Sequence, residues 1–475
     1  MTSVPSRLLQ LSGSSLLLSI LFFSLFLLPA CKTQKETGDD ITDKSIEQEK
    51  NDSIVADEPI DTDSLLTEVD SFRLKDNYNI AFILPFYLDS LSIDSLREKP
   101  DYFYPNAAMA TKFYLGAKFA LDSLQKIGFS AKIHVFDSEN SLGKIVGLKK
   151  SGALDTMDLI IGPVYNSNVK YLAKWAKQRE KIIVNPLSPT AGLSEDNPWF
   201  IQINPSIPTH IENLFSLLKY NFASDNKIII NQPIRNELKY QGFWKNLATK
   251  HNTISDSIIK AVEFPKVPVD SIKFNYFILG EDDDDILKEN KLIEDSLFAN
   301  LLQDSVRNIL IINSIDRTFI SRLNRNLYKL SDEYEITVVG LPVWNAVEDF
   351  RMDYLEKFDL HYSGDYHIDS SFYNSKYYQQ TIDSFHMHPN AFFLKGFDIT
   401  MWMGKGLIKY GLDMNTELIN KQLKGIHSSF RLGYTYESGE DSTKTMNYLE
   451  NKYVHLLNIS DYIIQDVRKT NKEIK

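Results

Sequence analysis

The sequence predicts an α/β protein with two wound parallel-sheet lobes that are joined by hinge crossings. Short apolar runs, each the length of a buried strand, alternate with helical patterns at intervals of about 25–30 residues, which is typical of parallel sheets. This series starts again near residue 200, which indicates a second sheet. The length of 475 residues also favours two lobes, because one hydrophobic core rarely serves so long a chain.

The first predicted sheet lies within residues 78–204. Ile80–Phe86 is a short apolar run, Ala131–Phe136 alternates like a half-buried strand, and Leu159–Ile161 is entirely apolar. Apolar residues recur at helical spacing between these runs, first over Phe113–Leu124. The other elements predicted here are helices at 146–153 and 169–176 and strands at 181–185 and 200–203.

The second predicted sheet begins after the segment Asn204-Pro205-Ser206. Its elements are a helix at 208–220, a strand at 227–230, a helix at 237–250, strands at 276–279 and 308–312, a helix at 319–330 and a strand at 336–339. An extended stretch, 359–368, leads to helices at 373–385 and 391–410 and to edge strands at 430–436 and 453–459. We therefore assign lobe 1 to residues 78–204 with 371–412, and lobe 2 to residues 205–370 with 413–475.

Residues 1–30 have the features of a signal peptide. Arg7 is the only charged residue among them, and the apolar run Leu16–Leu28 is short for a bilayer span. The sequence Leu28-Pro29-Ala30-Cys31 resembles a bacterial lipobox, which implies cleavage before Cys31 and a lipid on its sulfur. Cys31 is the only cysteine, so a disulfide within the chain is excluded. The alternatives are an ordinary signal peptide with an incidental cysteine, or an uncleaved anchor.

Residues 31–77 are expected to form a flexible acidic tether that begins at the lipid-bearing cysteine. Positions 32–76 hold 14 Asp/Glu against 6 Lys/Arg, and Phe72 is their only aromatic residue. Such a composition cannot bury enough apolar surface to offset the entropy lost on ordering. The formal net charge of -11, without a basic block, argues against a nucleic-acid partner.

The candidate binding site is centred on residues 159–168, which read LIIGPVYNSN. In open α/β sheets, ligands bind beyond the carboxyl ends of the parallel strands. Backbone N–H groups at the helix start after Tyr165 could hold a carboxylate. The alternative is that Asn166 and Ser167 only cap that helix. The candidate ligand-binding residues are Tyr87, Asp137, Tyr165, Asn166, Ser167, Ser188, Thr190 and, from the second lobe, Trp344, which could instead pack within its own core.

The order of these elements resembles type 1 periplasmic binding proteins, the family of branched-chain amino-acid receptors. LIIGPVYNSN is similar to that family's strand, glycine turn and polar loop, and Lys181–Thr190 (KIIVNPLSPT) is similar to its next strand and loop. Asn197–Ser206 resembles the segment that crosses into the second lobe, and Lys395–Asp398 resembles the start of a late first-lobe helix. The resemblance covers about residues 78–465 and implies a cleft that closes on a ligand.

A closer likeness is to bacterial lipoproteins labelled amino-acid ABC transporter substrate-binding proteins. They share Leu84–Leu88 (LPFYL), Asp137–Asn140 (DSEN) and the Gly-Pro-x-Tyr turn. Many also carry a LysM-type peptidoglycan-binding module, which this sequence lacks. Amino-acid receptors hold the ligand's ammonium with a second-lobe acid, but the corresponding segment, Gly340–Ala346, has none. Since an unpaired ammonium is costly to bury, specificity for amino acids is open.

Other motifs carry weaker signals. The run Glu281–Asp285 (EDDDD) lacks the ligand spacing and glycine of an EF-hand loop, which indicates a solvated acidic loop. His386 and His388 would need a third ligand, placed by the fold, to bind zinc. No G-x-S-x-G, Walker or H-E-x-x-H motif is present. We expect no metal, no cofactor and no enzymatic activity.

Two functions are compatible with this sequence. The first is a lipid-anchored envelope protein that binds a small polar solute, such as an amino acid or related metabolite, between its lobes for transport or sensing. The alternative is an interaction lipoprotein with a degenerate cleft that regulates cell-wall synthesis or another envelope partner. The family offers a precedent for the alternative in an outer-membrane lipoprotein activator of a penicillin-binding protein.

The expected partners are the membrane, through the lipid on Cys31, a small polar ligand, and a transporter or wall synthase. The expected location is the periplasm-facing envelope. Lys32, rather than Asp, follows Cys31, which by the enteric sorting rule favours the outer over the inner membrane.

Overall fold

The structure, a computed structural model, describes residues 72–90, 97, 104–261, 271–279, 291–346, 351–438 and 444–470. All of them belong to the compact unit Ile60–Lys475. The predicted signal peptide, Cys31, most of the predicted tether and the acidic run Glu281–Asp285 lie outside the described residues. The tether was predicted to extend to residue 77, but Arg73 and Lys75 form ion pairs with Asp413 and Asp158, so residues 72–77 pack on the first lobe. Within the described ranges, no helix is both long enough and apolar enough to cross a membrane.

The first sheet contains eight strands. They are β1 (Tyr78–Leu84), β2 (Ala131–Asp137), β3 (Leu159–Ile161), β4 (Ile182–Asn185), β5 (Asn197–Gln202), β11 (Gln422–Lys424), β12 (Ser429–Ser438) and β13 (Lys444–Asn451). Their order across the sheet is β11-β12-β13-β5-β4-β3-β1-β2. The strands from β13 to β2 in this order are parallel, whereas β12 is antiparallel to both of its neighbours.

The second sheet contains seven strands. They are β6 (Asn226–Asn231), β7 (Asn275–Ile278), β8 (Asn308–Ile312), β9 (Ile336–Gly340), β10 (His361–Gly364), β14 (His455–Ser460) and β15 (Ile463–Asp466). Their order is β15-β14-β10-β9-β8-β6-β7. The five strands from β10 to β7 are parallel, and β14 is antiparallel to both β10 and β15. The predicted architecture of two wound, mostly parallel sheets is therefore confirmed.

Helices cover both faces of each sheet. They are α1 (Ala108–Lys126), α2 (Leu142–Lys150), α3 (Asn166–Gln178), α4 (Ile207–Asn221), α5 (Arg235–Ala261), α6 (Ser296–Ala299), α7 (Arg317–Leu330), α8 (Met352–Lys357), α9 (Lys376–Phe385), α10 (Ala391–Tyr410), α11 (Met414–Glu417) and α12 (Val467–Thr470). Because the central strands are buried on both faces, they read as nearly continuous apolar runs. In β1, Phe82 and Leu84 face the core formed with α1 and α10, whereas Ala81 and Ile83 face α2 and α3.

Three segments connect the two sheets. They are residues 203–206 between β5 and α4, residues 365–375 between β10 and α9, and residues 452–454 between β13 and β14. The last crossing corrects the predicted boundary of lobe 2 at residues 413–475. Strands β11, β12 and β13 belong to the first sheet, since Leu449 and Glu450 of β13 pair with Ile201 and Gln202 of β5. Only β14, β15 and α12 of that segment extend the second lobe.

Helices α1 and α10 approach each other unusually closely, at two glycines. A Cβ atom on Gly116 would lie 1.8 Å from the carbonyl oxygen of Phe393. A Cβ atom on Gly396 would lie 1.9 Å from the carbonyl oxygen of Phe113. Both distances are far below any van der Waals contact, so the two backbones can meet only where side chains are absent.

Candidate ligand-binding site

The loops after β1, β2, β3 and β4 meet at one edge of the first sheet, because these strands are parallel neighbours. Seven of the eight predicted site residues lie in these loops, at the strand ends or in the first turn of α3. They are Tyr87, Asp137, Tyr165, Asn166, Ser167, Ser188 and Thr190. The eighth, Trp344, follows β9 in the second sheet.

Asp137, the last residue of β2, holds the loop after β1 in place. Its carboxylate accepts hydrogen bonds from the backbone N–H groups of Phe86 (2.9 Å), Tyr87 (3.2 Å), Leu88 (2.7 Å) and Glu139 (2.9 Å). The loop needs such support because Tyr87 has a φ of 55°, a left-handed conformation that is uncommon outside glycine. With four donors around it, Asp137 positions Tyr87 and is not a free acceptor for a ligand.

Tyr87 and Tyr165 form a pair of hydrogen-bonded phenols. Their hydroxyl oxygens are 2.7 Å apart, and both side chains are half-buried. The ring of Tyr104 packs edge-on against Tyr87, with 5.7 Å between the ring centroids. Burial and the hydrogen bond to Tyr165 raise the pKa of Tyr87, so this phenol is protonated at neutral pH. The pair therefore presents aromatic surface together with a hydroxyl donor and acceptor.

Asn166, Ser188 and Thr190 form hydrogen bonds with one another across the loops after β3 and β4. Ser188 Oγ donates to Asn166 Oδ1 at 2.6 Å, and Asn166 Nδ2 donates to Thr190 Oγ1 at 3.0 Å. Ser188 Oγ also accepts the backbone N–H of Thr190 at 3.2 Å. The structure thus brings these three predicted residues together, and much of their hydrogen-bonding capacity is used within the group. Ser167 is exposed beside them.

The start of α3 differs from the capping alternative. The N-cap residue is Tyr165, and no side chain caps the first turn. The preceding turn depends on Gly162, which has a φ of 104° and precedes a cis peptide bond to Pro163. A Cβ atom on Gly162 would lie 2.1 Å from the carbonyl oxygen of Ile83, so only glycine allows this approach to β1. The close approach brings Tyr165 within reach of Tyr87.

Trp344 belongs to the core of the second lobe. Its side chain is only 5% exposed and is part of the apolar cluster against β8 and β9. Its indole Nε1 lies 2.2 Å from the position that a Cβ atom on Gly340 would occupy, so the ring packs directly on the strand. Of the two interpretations of Trp344, the structure favours core packing.

A polar cluster that was not predicted from the sequence lies at the carboxyl ends of β6 and β8. The carboxylate of Glu237 accepts the backbone N–H of Gln232 at 2.6 Å and its side-chain Nε2 at 3.0 Å. Asn313 Nδ2 donates to Asn231 Oδ1 at 2.8 Å, and Trp244 Nε1 donates to Asn313 Oδ1 at 3.2 Å. Burial raises the pKa of Glu237. The sequence contains a signal for this cluster, because polar residues directly follow two apolar strands.

A second group that the sequence analysis missed lies at the crossing segments. Lys395 Nζ, from α10, contacts the carboxylate of Asp365 at 2.5 Å and Asn204 Oδ1 at 3.1 Å. The nearby carboxylate of Asp398 accepts the backbone N–H groups of residues 426–428 at 2.8–3.0 Å. Helix α10 of the first lobe is therefore bonded to two of the three crossings.

His210, in the first turn of α4, makes stability depend on pH. Its imidazole is 1% exposed, and none of the described residues hydrogen-bonds its Nδ1. Burial lowers its pKa to about 4. A lowered histidine pKa means that the unfolded chain binds the proton more tightly, so stability falls as pH drops below 6.5. At pH 5 this loss should be about 2 kcal/mol.

This pH effect can be measured by urea unfolding between pH 4 and 7.5, with His210→Gln as the comparison. Burial also raises the pKa of Asp398 to about 6, which works in the opposite direction over part of this range. The difference between wild type and variant isolates His210. If the stability of the two proteins changes with pH in the same way, His210 is not the source of the pH effect.

The metal alternative receives no geometric support from the described part of the chain, where no group of three His, Cys, Asp or Glu residues is arranged to hold an ion. Nδ1 of His388 lies 2.7 Å from the hydroxyl of Tyr378. His386 ends α9 with a φ of 51°.

Comparisons with known proteins identify the fold. No protein-family model matches the sequence, and no curated protein matches it. A Rhodospirillum rubrum protein assigned to a branched-chain amino acid ABC transporter superposes with a TM-score of 0.52 at 11% identity, over 82% of this chain and 99% of that one. An ABC transporter substrate-binding protein from Desulfitobacterium hafniense superposes with a TM-score of 0.50 at 13% identity, with the same coverage of both chains. The chain has the type 1 periplasmic binding protein fold, as predicted.

Proposed function

We propose that this protein holds a small polar solute between its two lobes and does not transform it chemically. The phenol pair of Tyr87 and Tyr165, at the edge of the first sheet where this fold class binds ligands, carries the proposal. Its rings can cover an apolar part of a solute while the hydroxyls bond a polar part. An amino acid or a related metabolite has both.

The N-terminal sequence supports a location for this binding. The lipobox-like segment before Cys31 supports a lipid anchor, and residues 31–71 would act as its spacer. Lys32 supports the outer membrane, with the lobes facing the periplasm. From there the solute would be delivered to a transporter or reported to a sensor.

Native mass spectrometry of the full-length protein, purified from its own envelope, tests this function. We expect one small molecule per wild-type chain and a lipid-modified Cys31 in the same spectrum. Tyr165→Phe should weaken solute binding about fivefold, since one hydrogen bond contributes about 1 kcal/mol. Tyr220→Phe, at a half-exposed position on α4, is the matched control and should bind normally. A protein that is always free of solute would contradict the proposal.

One observation favours the second candidate function, an interaction lipoprotein that regulates wall synthesis or another envelope partner. Asp137, Asn166, Ser188 and Thr190 already use much of their hydrogen-bonding capacity within the protein. A cleft lined this way offers a ligand fewer polar contacts than four free side chains would. A solute-free protein that co-purifies with a wall synthase would support this function, and a stoichiometric solute would exclude it.

A further inference from the structure

A groove of about 630 Å³ lies on the second lobe, away from the first-sheet loops. Strand β15 forms one of its walls, and residues 366–370 with Tyr373, from the crossing after β10, form another. Its lining includes three tyrosines and three isoleucines. Several of these side chains are well exposed, namely Tyr462 (63%), Ile463 (58%), Tyr373 (51%) and Ile464 (39%). Such a concentration of exposed apolar residues marks an interaction surface.

The turn that begins β15 holds Tyr462 in an unfavourable backbone conformation. Asp461 and Tyr462 form the two-residue connection from β14, with φ values of 53° and 59°. Glycine and asparagine are the usual residues for such a turn. The carboxylate of Glu356 stabilises it by accepting the N–H groups of Asp461 (2.9 Å) and Tyr462 (3.1 Å). A large exposed ring is thus retained where glycine would fold more easily, which points to a use for the ring.

Strand β15 also offers backbone hydrogen-bonding groups. It is the end strand of its sheet among the described residues. Residues 463 and 465 face their partners Ser460 and Asn458, and the pair next to a two-residue turn is hydrogen-bonded. By the alternation of an antiparallel ladder, the N–H and C=O groups of Ile464 point to the open side. No lysine or proline, the usual protection of exposed edges, occurs in β15.

Charge indicates what would occupy this groove. Asp369, which is partly exposed, lines it together with Asp466, whose buried carboxylate is bonded to His455, and the described lining contains no lysine or arginine. This lining disfavours binding of the chain's own residues 32–76 in the groove, because they hold 14 acidic against 6 basic residues. A second copy is also disfavoured, because two four-residue strands would bury far less than the ~1,200 Å² of a standard interface.

We propose that this groove binds an extended, basic and apolar segment of another protein, which adds a strand to the edge of β15 and lays its alternate side chains among the tyrosines. The aromatic rings would receive lysine or arginine side chains by cation–π contact, and the carboxylate of Asp369 would attract them. The proposal does not depend on a solute in the cleft.

Fluorescence anisotropy with the full-length protein tests this surface. The probe is a labelled octapeptide in which lysine alternates with valine and tyrosine, and glutamate replaces lysine in the control peptide. We expect the lysine peptide to bind at least tenfold more tightly than the glutamate peptide and to slow hydrogen exchange at the amide of Ile464. Ile464→Lys should weaken binding at least tenfold. Leu297→Lys, at a position 72% exposed on the same lobe, should leave it unchanged.

A second variant separates binding from folding. Tyr462→Gly should raise Tm, because it relieves the left-handed backbone, and should weaken peptide binding because it removes a ring. Tyr165→Ala should leave peptide binding intact. Absence of peptide binding, equal binding of the two peptides, or normal binding by Ile464→Lys would overturn the proposal. So would a wild-type dimer that Ile464→Lys dissociates, since the groove would then be an interface between copies.

Discussion

Replacing Lys395 by methionine should lower the free energy of unfolding by about 3–4 kcal/mol. The reason lies at the crossing after β10, where the ammonium of Lys395 is the counter-ion of Asp365. Burial alone would raise the pKa of Asp365, but Lys395 outweighs this and holds it at about 2. Without the lysine, a largely buried carboxylate must either stay charged without its counter-ion or take up a proton.

Urea unfolding at pH 7 measures this loss, and the double variant Lys395→Met/Asp365→Asn is its control. The asparagine removes the stranded charge, so the double variant should recover a large part of the stability that the single variant loses. If Lys395→Met costs less than about 1 kcal/mol, the pair behaves like a surface salt bridge and Lys395 is not the counter-ion on which Asp365 depends.

Replacing Gly396 by alanine should cost about 3 kcal/mol, at the upper end of the range for overpacked cores. The added Cβ would meet the backbone carbonyl of Phe113 at 1.9 Å, and a backbone atom cannot rotate away as a side chain can. Helices α1 and α10 would have to separate, which would loosen the apolar cluster that they form with β1. Thermal and urea unfolding both report this change.

Gly147→Ala is the matched control for this helix glycine. Gly147 lies exposed in α2, where a new Cβ would meet nothing within 4 Å. Alanine should therefore stabilise the protein by roughly 0.5–1 kcal/mol through its higher helix propensity. If both variants shift stability in the same direction, the close approach of α1 and α10 is not what Gly396 serves.

The fold was predictable because a buried parallel strand can be recognised from its own short apolar run. Leu159–Ile161 and Ile182–Asn185 are buried on both faces, and a polar loop follows each of them. The loop after Leu159–Ile161 leads into a helical pattern. The partner of an edge strand has no such local signal. Strand β12 was predicted as extended and β13 was not predicted, and only the tertiary structure pairs both of them with the first sheet and not the second.

The candidate site was predictable in position more than in chemistry. Strand ends mark the loops, so Tyr87, Tyr165 and Thr190 could be named from the sequence. Which polar side chains bond one another depends on distances that spacing does not encode, as for Asn166 and Ser188. The ion pair at the crossings was hidden for the same reason, since its partners are far apart in sequence.

Strand β13 pairs with β5, which is synthesised much earlier, so the first sheet can be completed only late in synthesis. Residue 201 of β5 pairs with residue 449 of β13. At ~5–20 residues per second, the ribosome synthesises residue 449 roughly 12–50 s after residue 201. Until then one side of β5 has no neighbour, although strands β1 to β4 of its sheet have been made. A nascent chain in this interval carries an open sheet edge, which is a template for aggregation. Chaperone binding to the emerging chain should therefore persist until β13 has been synthesised.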